Sequence, residues 1–404
     1  GSKGEECNKQ GILTCSEYQC KSLGQACELL NSGTSEEKCT WVNSRDVNPP
    51  IIKPWEAALT VDHSYSGIIT FPNLDNDLGV KILYDESTDN CVAAFTPLSF
   101  GVALNEPAKC KIDYVQKQNF SDMKFYFGGS SLFRYNHTNV MSLPGPSAFE
   151  AENITMSNNG EYTLFVRCQD ANGNANTANF VFKYCVDKGP DTTPPLIYGT
   201  NFVNKVPIAN NKTKLEDVNL YINEPADCKW SRTDQEYDEM EGDMDCSKAD
   251  SVLDVDSLMR YHCSTTLLGI QNDEENKFYF KCKDQPKETE DRNTNVEPFV
   301  FTILGTIPIV IDSVEPNGTI KGSTEAVKVT LKVETSAGYN EGEALCYFSD
   351  SGEEDSYTLF PYENEEGSYT HSQDLYLPDG DYEYFIKCVD LGGNEDSKTI
   401  TFST

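Results

Sequence analysis

Two short cysteine-bearing phrases recur three times along the chain, always in the same order. The first reads NEPAKC at 105–110, NEPADC at 223–228 and, more loosely, NEGEALC at 340–346. The second reads YTLFVRCQD at 162–170, KFYFKCKD at 277–284 and YEYFIKCVD at 382–390. Ordered recurrence at domain-sized intervals requires tandem copies of one unit, each with its own core. The 404 residues leave room for two to four such units.

The joints between copies are readable. DVNPPII at 46–52 and DTTPPLI at 191–197 each close a polar stretch and open an apolar alternation. Paired prolines fix φ and extend the preceding residue, so they stiffen a short connection. A third, less marked joint is LGTIPIVIDSVEP at 304–316. The chain therefore divides into a cysteine-rich head (1–48) and repeats at 49–189, 190–306 and 307–404.

Within the repeats the pattern is period two. Tyr162, Leu164, Val166 and Cys168 alternate with Thr163, Phe165 and Arg167. Phe278, Phe280 and Cys282 alternate with Lys277, Tyr279 and Lys281, and Tyr382, Tyr384, Ile386 and Cys388 with Glu383, Phe385 and Lys387. One apolar face at that period is a half-buried strand with its cysteine inward. Ahead of the first cysteine, Phe100, Val102 and Leu104 share a face, as do Val218, Leu220 and Ile222, and Val327, Val329, Leu331 and Val333. The Glu-Pro of the first two copies then predicts a break in the ladder, because proline donates no hydrogen bond. Helical periodicity is scarce. The expected fold is all-β: tandem β-sandwiches behind a small disulfide-rich N-terminal module.

The net charge of −33 opposes binding to nucleic acid or anionic lipid, which needs clustered Lys and Arg. It gives solubility first and an affinity for divalent cations second. Fifteen cysteines in so hydrophilic a chain point to an oxidising, extracellular location. No CxxC pair is present, and His63, His137, His262 and His371 lie scattered, which argues against structural zinc. Asn119, Asn136, Asn153, Asn211 and Asn317 head Asn-x-Ser/Thr acceptors, as expected of a secreted glycoprotein. No apolar run approaches a membrane span, so no direct insertion is expected. No leader is visible and Gly1-Ser2 reads as a cloning remnant, so we expect a piece of a longer protein.

The order of an apolar strand, Glu-Pro, a second strand, then Gly-x-Tyr-x-apolar-x-x-x-Cys-x-Asp-x-x-Gly-Asn resembles bacterial-type immunoglobulin-like and fibronectin-III-like modules of microbial surface proteins. NGEYTLFVRCQDANGN at 159–174 and DGDYEYFIKCVDLGGN at 379–394 carry it best, with DTTPP as linker. The added cysteines and the head phrase TCSEYQCKSLGQACELL resemble surface proteins of small-genome archaea. The resemblance covers about residues 96–404 and implies immunoglobulin-like sandwiches with an extracellular scaffold or adhesive role and no catalysis. The second repeat departs from it, since Asp284 is followed by QPKETEDRN instead of Gly-Asn.

The recurring partners suggest bridges Cys110–Cys168, Cys228–Cys282 and Cys346–Cys388. Cys246 and Cys263 form a further pair bracketing an acidic insertion, expected to be a short helix or loop lid, and Cys91 pairs with Cys185. The head keeps Cys7, Cys15, Cys20, Cys27 and Cys39, an odd number. Two bridges and a short helix near 22–31 should hold it, with one thiol idle or bonded elsewhere.

Candidate sites are few. Asp170, Asn172 and Asn174 place oxygens at alternate positions, as calcium loops do, but lack the closing glutamate. Turn chemistry, with the aspartate capping its own loop, explains the same residues better. Asp187, Asp191 and Glu106 are candidates for a calcium site between the first two repeats. The acidic run 234–245 reads as a solvated loop. No Gly-x-Ser-x-Gly, phosphate loop or His-Glu-x-x-His is present, so an enzyme is not expected and no cofactor beyond calcium is implied. The expectation is a stiff surface protein whose partners are other surface proteins, glycans or copies of itself. The alternatives are a self-assembling filament or surface-layer subunit and an accessory region of a carbohydrate-active enzyme.

Overall fold

A computed structural model describes residues 15–404 apart from 25, 35, 43–44, 146–159, 188–190, 253, 257–259, 286–291, 323–325 and 362–368; Cys7 and Asn153 lie outside the described residues. The second repeat shows the unit most plainly. Ile197–Thr200, Lys214–Ile222, Tyr261–Leu268 and Asp245–Lys248 form one sheet; Val206–Ile208, Phe299–Gly305, Glu274–Asp284, Ala226–Ser231 and Gly242–Asp243 form the other. Val218, Leu220 and Ile222 from the first sheet pack with Phe278, Phe280, Phe301 and Ile303 from the second. The inward residues are those that alternation assigns, because side chains of a pleated strand point to opposite faces.

The third repeat repeats the plan. Ile309–Glu315, Val327–Ala337 and Thr370–Leu377 face Gly318–Thr319, Glu395–Ser403, Asp381–Asp390, Ala344–Ser349 and Thr358–Leu359. In both repeats the opening strand pairs antiparallel in one sheet, and the chain then crosses to run parallel to the last strand of the other. That switch, with the paired two-sheet packing, is the immunoglobulin-like β-sandwich.

The first repeat is an elaborated copy. Asp77–Tyr84 takes the parallel place beside Phe180–Cys185. Between it and the opening strand Ile52–Pro54 lie the extra strands His63–Tyr65 and Ile69–Phe71. Two expectations are corrected here. Glu106-Pro107 does not end a strand: Leu98–Asp113 runs on through it for 16 residues. Its first half pairs with Arg134–Met141 and its second half with Glu161–Asp170, with a register shift between Ala103 and Ala108. The proline falls where the strand changes partner, so no ladder bond is lost. Nor is Glu161–Asp170 half-buried. Phe165 joins Met123 and Val181, with Phe71 and Leu74 against them, in a second small core over the outer face, and Arg167 is buried.

In the head the α-helix is Glu17–Ser22, and the stretch expected to be helical, 22–31, instead contains the strand Cys27–Leu30, paired with Lys38–Trp41. Ser16 sets the start: its hydroxyl accepts from the Gln19 amide while the Gln19 side chain accepts from the Ser16 amide. Cys20 bonds Cys39, Cys15 is also in a disulfide, and among the described residues Cys27 is free, 3 % exposed.

The repeats carry Cys91–Cys185, Cys110–Cys168, Cys228–Cys282, Cys246–Cys263 and Cys346–Cys388. The three recurring bridges join directly opposed residues of neighbouring strands, so each clamps one sheet rather than crossing between two. The segment between Cys246 and Cys263 has no helix among its described residues.

Candidate functional site at the linker pole of each repeat

The recurring Asp and Asn after the second cysteine build one clasp three times. Asp170 accepts from Asn174 at both oxygens, from its amide at 2.7 Å and from its side chain at 2.9 Å. Asp284 accepts likewise from Asn293 at 2.7 Å each, and Asp390 from Asn394 at 2.8 and 2.7 Å. The asparagine side chain also reaches the incoming linker. Asn174 donates to the Asp46 carbonyl at 2.8 Å, Asn293 to the Asp191 carbonyl at 3.2 Å, and Asn394 to the Thr306 hydroxyl at 2.7 Å. Asp170 and Asn174 thus spend themselves on turn and linker, while Asn172 stays exposed at the tip.

A second asparagine extends the clasp. Asn176 accepts from the Cys168 amide at 3.0 Å and donates to the Pro50 carbonyl at 2.6 Å. Asn295 accepts from the Cys282 amide at 2.8 Å and donates to the Pro195 carbonyl. The Asn of Asn-Glu-Pro works from the other side: Ile51 donates to Asn105 and Leu196 to Asn223, both at 2.6 Å. The sequence signal of this clasp is Asn-x-Asn, at 174–176 and, beyond the eight residues that follow Asp284, again at 293–295.

The glutamate of Asn-Glu-Pro faces the clasp. In the second repeat, Asp191, Glu224 and Asp284 bring one carboxylate oxygen each within 4.8 Å of one another. Glu224 is 1 % exposed. Asp191 Oδ1 accepts from the Thr193 amide at 3.0 Å and hydroxyl at 2.9 Å. Asp191 Oδ2 and Glu224 Oε1 are buried and have no hydrogen-bond partner among the described residues. Burial first, then the adjacent Asp191 and Asp284, hold the Glu224 carboxyl well above its usual range, against the opposing effect of Asn223. Burial also pushes Asp284 up to about 6, against the hydrogen bonds from Asn293; Asp191 raises it further and Arg292 lowers it. Arg292 itself donates to the Asp227 carboxylate at 2.9 Å and to the carbonyls of Lys283 and Asp284.

The expected junction trio does not assemble. Asp191 joins Glu224, whereas Glu106 lies with Asp46 and Asp170 in the first repeat, where burial and those two charges raise its pKa. These three line a cleft of about 280 Å³ between the head and the first sandwich. The third repeat has neither acid: Thr306 stands at the linker position, and Glu341 is exposed. Of the acceptor asparagines, Asn119, Asn136, Asn211 and Asn317 are all exposed. The run at 234–245 is more than a solvated loop, since Tyr237 and Met240 are buried and Lys281 and Lys283 pair with Asp234 and Asp238 at 3.2 Å. No helix of the described residues is long and apolar enough to cross a membrane.

No family model and no curated protein matches the chain. Among solved structures it is similar to the FN1–FN3 domains of chicken CNTN1, with 8 % identity over 77 % of this chain and 95 % of that one, TM-score 0.30. Immunoglobulin domains 1–4 of Sidekick-1 align at 7 % identity over 78 % and 72 % of the two chains, TM-score 0.27. These whole-chain superpositions are loose, and the fold assignment rests on the sheets themselves.

Proposed function

We propose that the chain is an extracellular structural and adhesive rod, without catalysis, that holds or links surfaces through successive immunoglobulin-like modules. One observation carries the reading: every repeat combines a buried bridge inside its sheet with a linker hydrogen-bonded into its pole. A bridge closing a loop of 42 to 58 residues stabilises by roughly 4 kcal/mol in the chain-entropy model, a large share of a small domain's total. Such modules resist extension and proteolysis, which suits a microbial surface stalk of the kind the repeated phrases resemble. Other surface proteins, glycans or copies of the chain are its partners. Linking copies through the odd head cysteine is disfavoured, because Cys27 is buried.

The test is adhesion. Beads bearing the oxidised chain should bind cells or surface glycans, and beads bearing reduced, alkylated chain should not. Equal binding by both, or hydrolysis of a polysaccharide by the chain, would overturn the reading; filaments in negative-stain images would replace it with self-assembly.

A further inference from the structure

We infer that Asp191, Glu224 and Asp284 form a binding site for one calcium-class cation, which fastens the linker to the pole of the second sandwich. Three carboxylates gathered this closely repel one another, and burial strengthens the repulsion by lowering the local dielectric. The protein supplies little relief. Asn293 satisfies Asp284 and Thr193 satisfies one oxygen of Asp191. The nearby Arg292 directs its donors to Asp227 and two carbonyls. Glu224 Oε1 and Asp191 Oδ2 are left buried without a hydrogen-bond partner among the described residues, an arrangement that is unfavourable whether the carboxyls are charged or protonated. A cation among the three oxygens relieves it.

The donor set chooses the ion. All three ligands are hard carboxylate oxygens, which suits calcium, magnesium or manganese and disfavours zinc and copper. Oxygens up to 4.8 Å apart can both reach calcium at its bond length of about 2.3–2.6 Å, whereas magnesium demands about 2.0–2.1 Å in near-octahedral order. The third repeat serves as an internal control. It keeps the Asp390–Asn394 clasp without a linker acid or a buried glutamate, so clasping a linker does not itself require the extra carboxylates. Because Asp191 belongs to the linker, Glu224 to the turn between sheets and Asp284 to the end of the cysteine strand, one ion joins three segments. The site does not depend on the adhesive reading: cation binding and adhesion are measured separately.

The experiment uses the full oxidised chain, stripped with chelator and titrated at pH 7.5 with calcium chloride by calorimetry, with melting temperature followed in parallel. Wild type should bind calcium with Kd of about 10⁻⁴–10⁻³ M, the range of extracellular modules, and gain melting temperature. Glu224→Gln and Asp191→Asn should each bind one ion fewer and lose the thermal gain, while Glu341→Gln should behave as wild type. Both near-isosteric variants remove repulsion, so they should fold without the ion. Equal stoichiometry and equal thermal response in wild type and both variants would overturn the site. So would an absence of binding at about 10 mM calcium, the outcome if Glu224 and Asp191 simply share a proton. An equal thermal gain from magnesium at the same concentration would overturn the choice of calcium.

Discussion

At the scale of single residues, the clasp asparagines carry more than their polarity suggests. Asn176 serves two backbone groups at once, the Cys168 amide and the Pro50 carbonyl. Asn176→Ala should cost about 1–3 kcal/mol in denaturant unfolding, because the amide beside a buried cysteine loses its acceptor. Thr177→Ala, at the exposed neighbouring position, should cost less than about 0.5 kcal/mol; equal costs would show that the clasp does not stabilise the fold. His137 provides a pH signature. It is 1 % exposed and its Nε2 lies 2.9 Å from the Ala108 carbonyl. Burial above all lowers its pKa, against the Ala108 and Arg134 carbonyls and Glu36; the Arg134 charge lowers it further. A base with depressed folded pKa binds protons better when unfolded. Its contribution is therefore present above the ordinary value of 6.5 and is lost as pH falls. Between pH 7 and 5, wild type should lose up to about 1.4 kcal/mol per pH unit from this group, a slope that His137→Phe should flatten. Parallel pH profiles would contradict the assignment. The Asp–Asn clasp was visible in the sequence as turn chemistry, but its third member was not: Asn293 is separated from Asp284 by eight residues, and only spacing to Asn295 betrays it.

At the scale of elements, strands were legible wherever one face meets water, because only then does the sequence alternate. Asp381–Asp390 follows the pattern, and Glu274–Asp284 does so except at Lys281, which is buried on the outer face. Glu161–Asp170 hides it, since Phe165 and Arg167 on its outer face are covered by elements inserted elsewhere in the chain. Proline misled for a related reason. Pro107 ends one pairing without ending extension, and sequence records the lost donor but not the new partner. In the head, the Ser16 capping box fixes the helix at Glu17–Ser22, ahead of the expected 22–31. The bridges show how elements share load. Cys246–Cys263 spans 17 residues and should contribute about 3 kcal/mol, and Cys91–Cys185, spanning 94, nearly 5 kcal/mol in the chain-entropy model. Replacing each pair by alanine and measuring unfolding under non-reducing conditions tests that ranking. The sulfurs of Cys228, Cys246 and Cys263 lie within 4.8 Å of one another, so the two bridges of the second repeat touch across its core. Their removal should be non-additive by about 0.5–3 kcal/mol, whereas removing either together with Cys346–Cys388 should add.

At the scale of the whole molecule, the three cores are not equally separate. Val252, in the acidic insertion between Cys246 and Cys263, packs into the core of the first sandwich, and its carbonyl accepts from the Tyr261 hydroxyl of the second at 3.0 Å. Asn223 donates across the same junction to the Phe95 carbonyl at 3.0 Å and the Ser142 hydroxyl at 3.2 Å. The insertion is thus a strut between modules, a role its acidic composition concealed because a single apolar residue performs it. The third sandwich meets the second through hydrogen bonds instead: Asn394 accepts from the Asn210 amide at 2.8 Å and donates to Thr306, whose hydroxyl donates to the Ile208 carbonyl at 2.7 Å. Apolar burial couples modules more strongly than a few polar contacts, each worth about 1 kcal/mol net. The first two sandwiches should therefore melt as one calorimetric unit and the third separately. Val252→Asp places a charge in the first core at a cost of several kcal/mol unless the junction opens, and opening is the cheaper response. The variant should split the joint transition in two while leaving both modules folded by circular dichroism. A single joint transition retained in Val252→Asp, or three separate transitions in wild type, would show that the strut does not couple the modules.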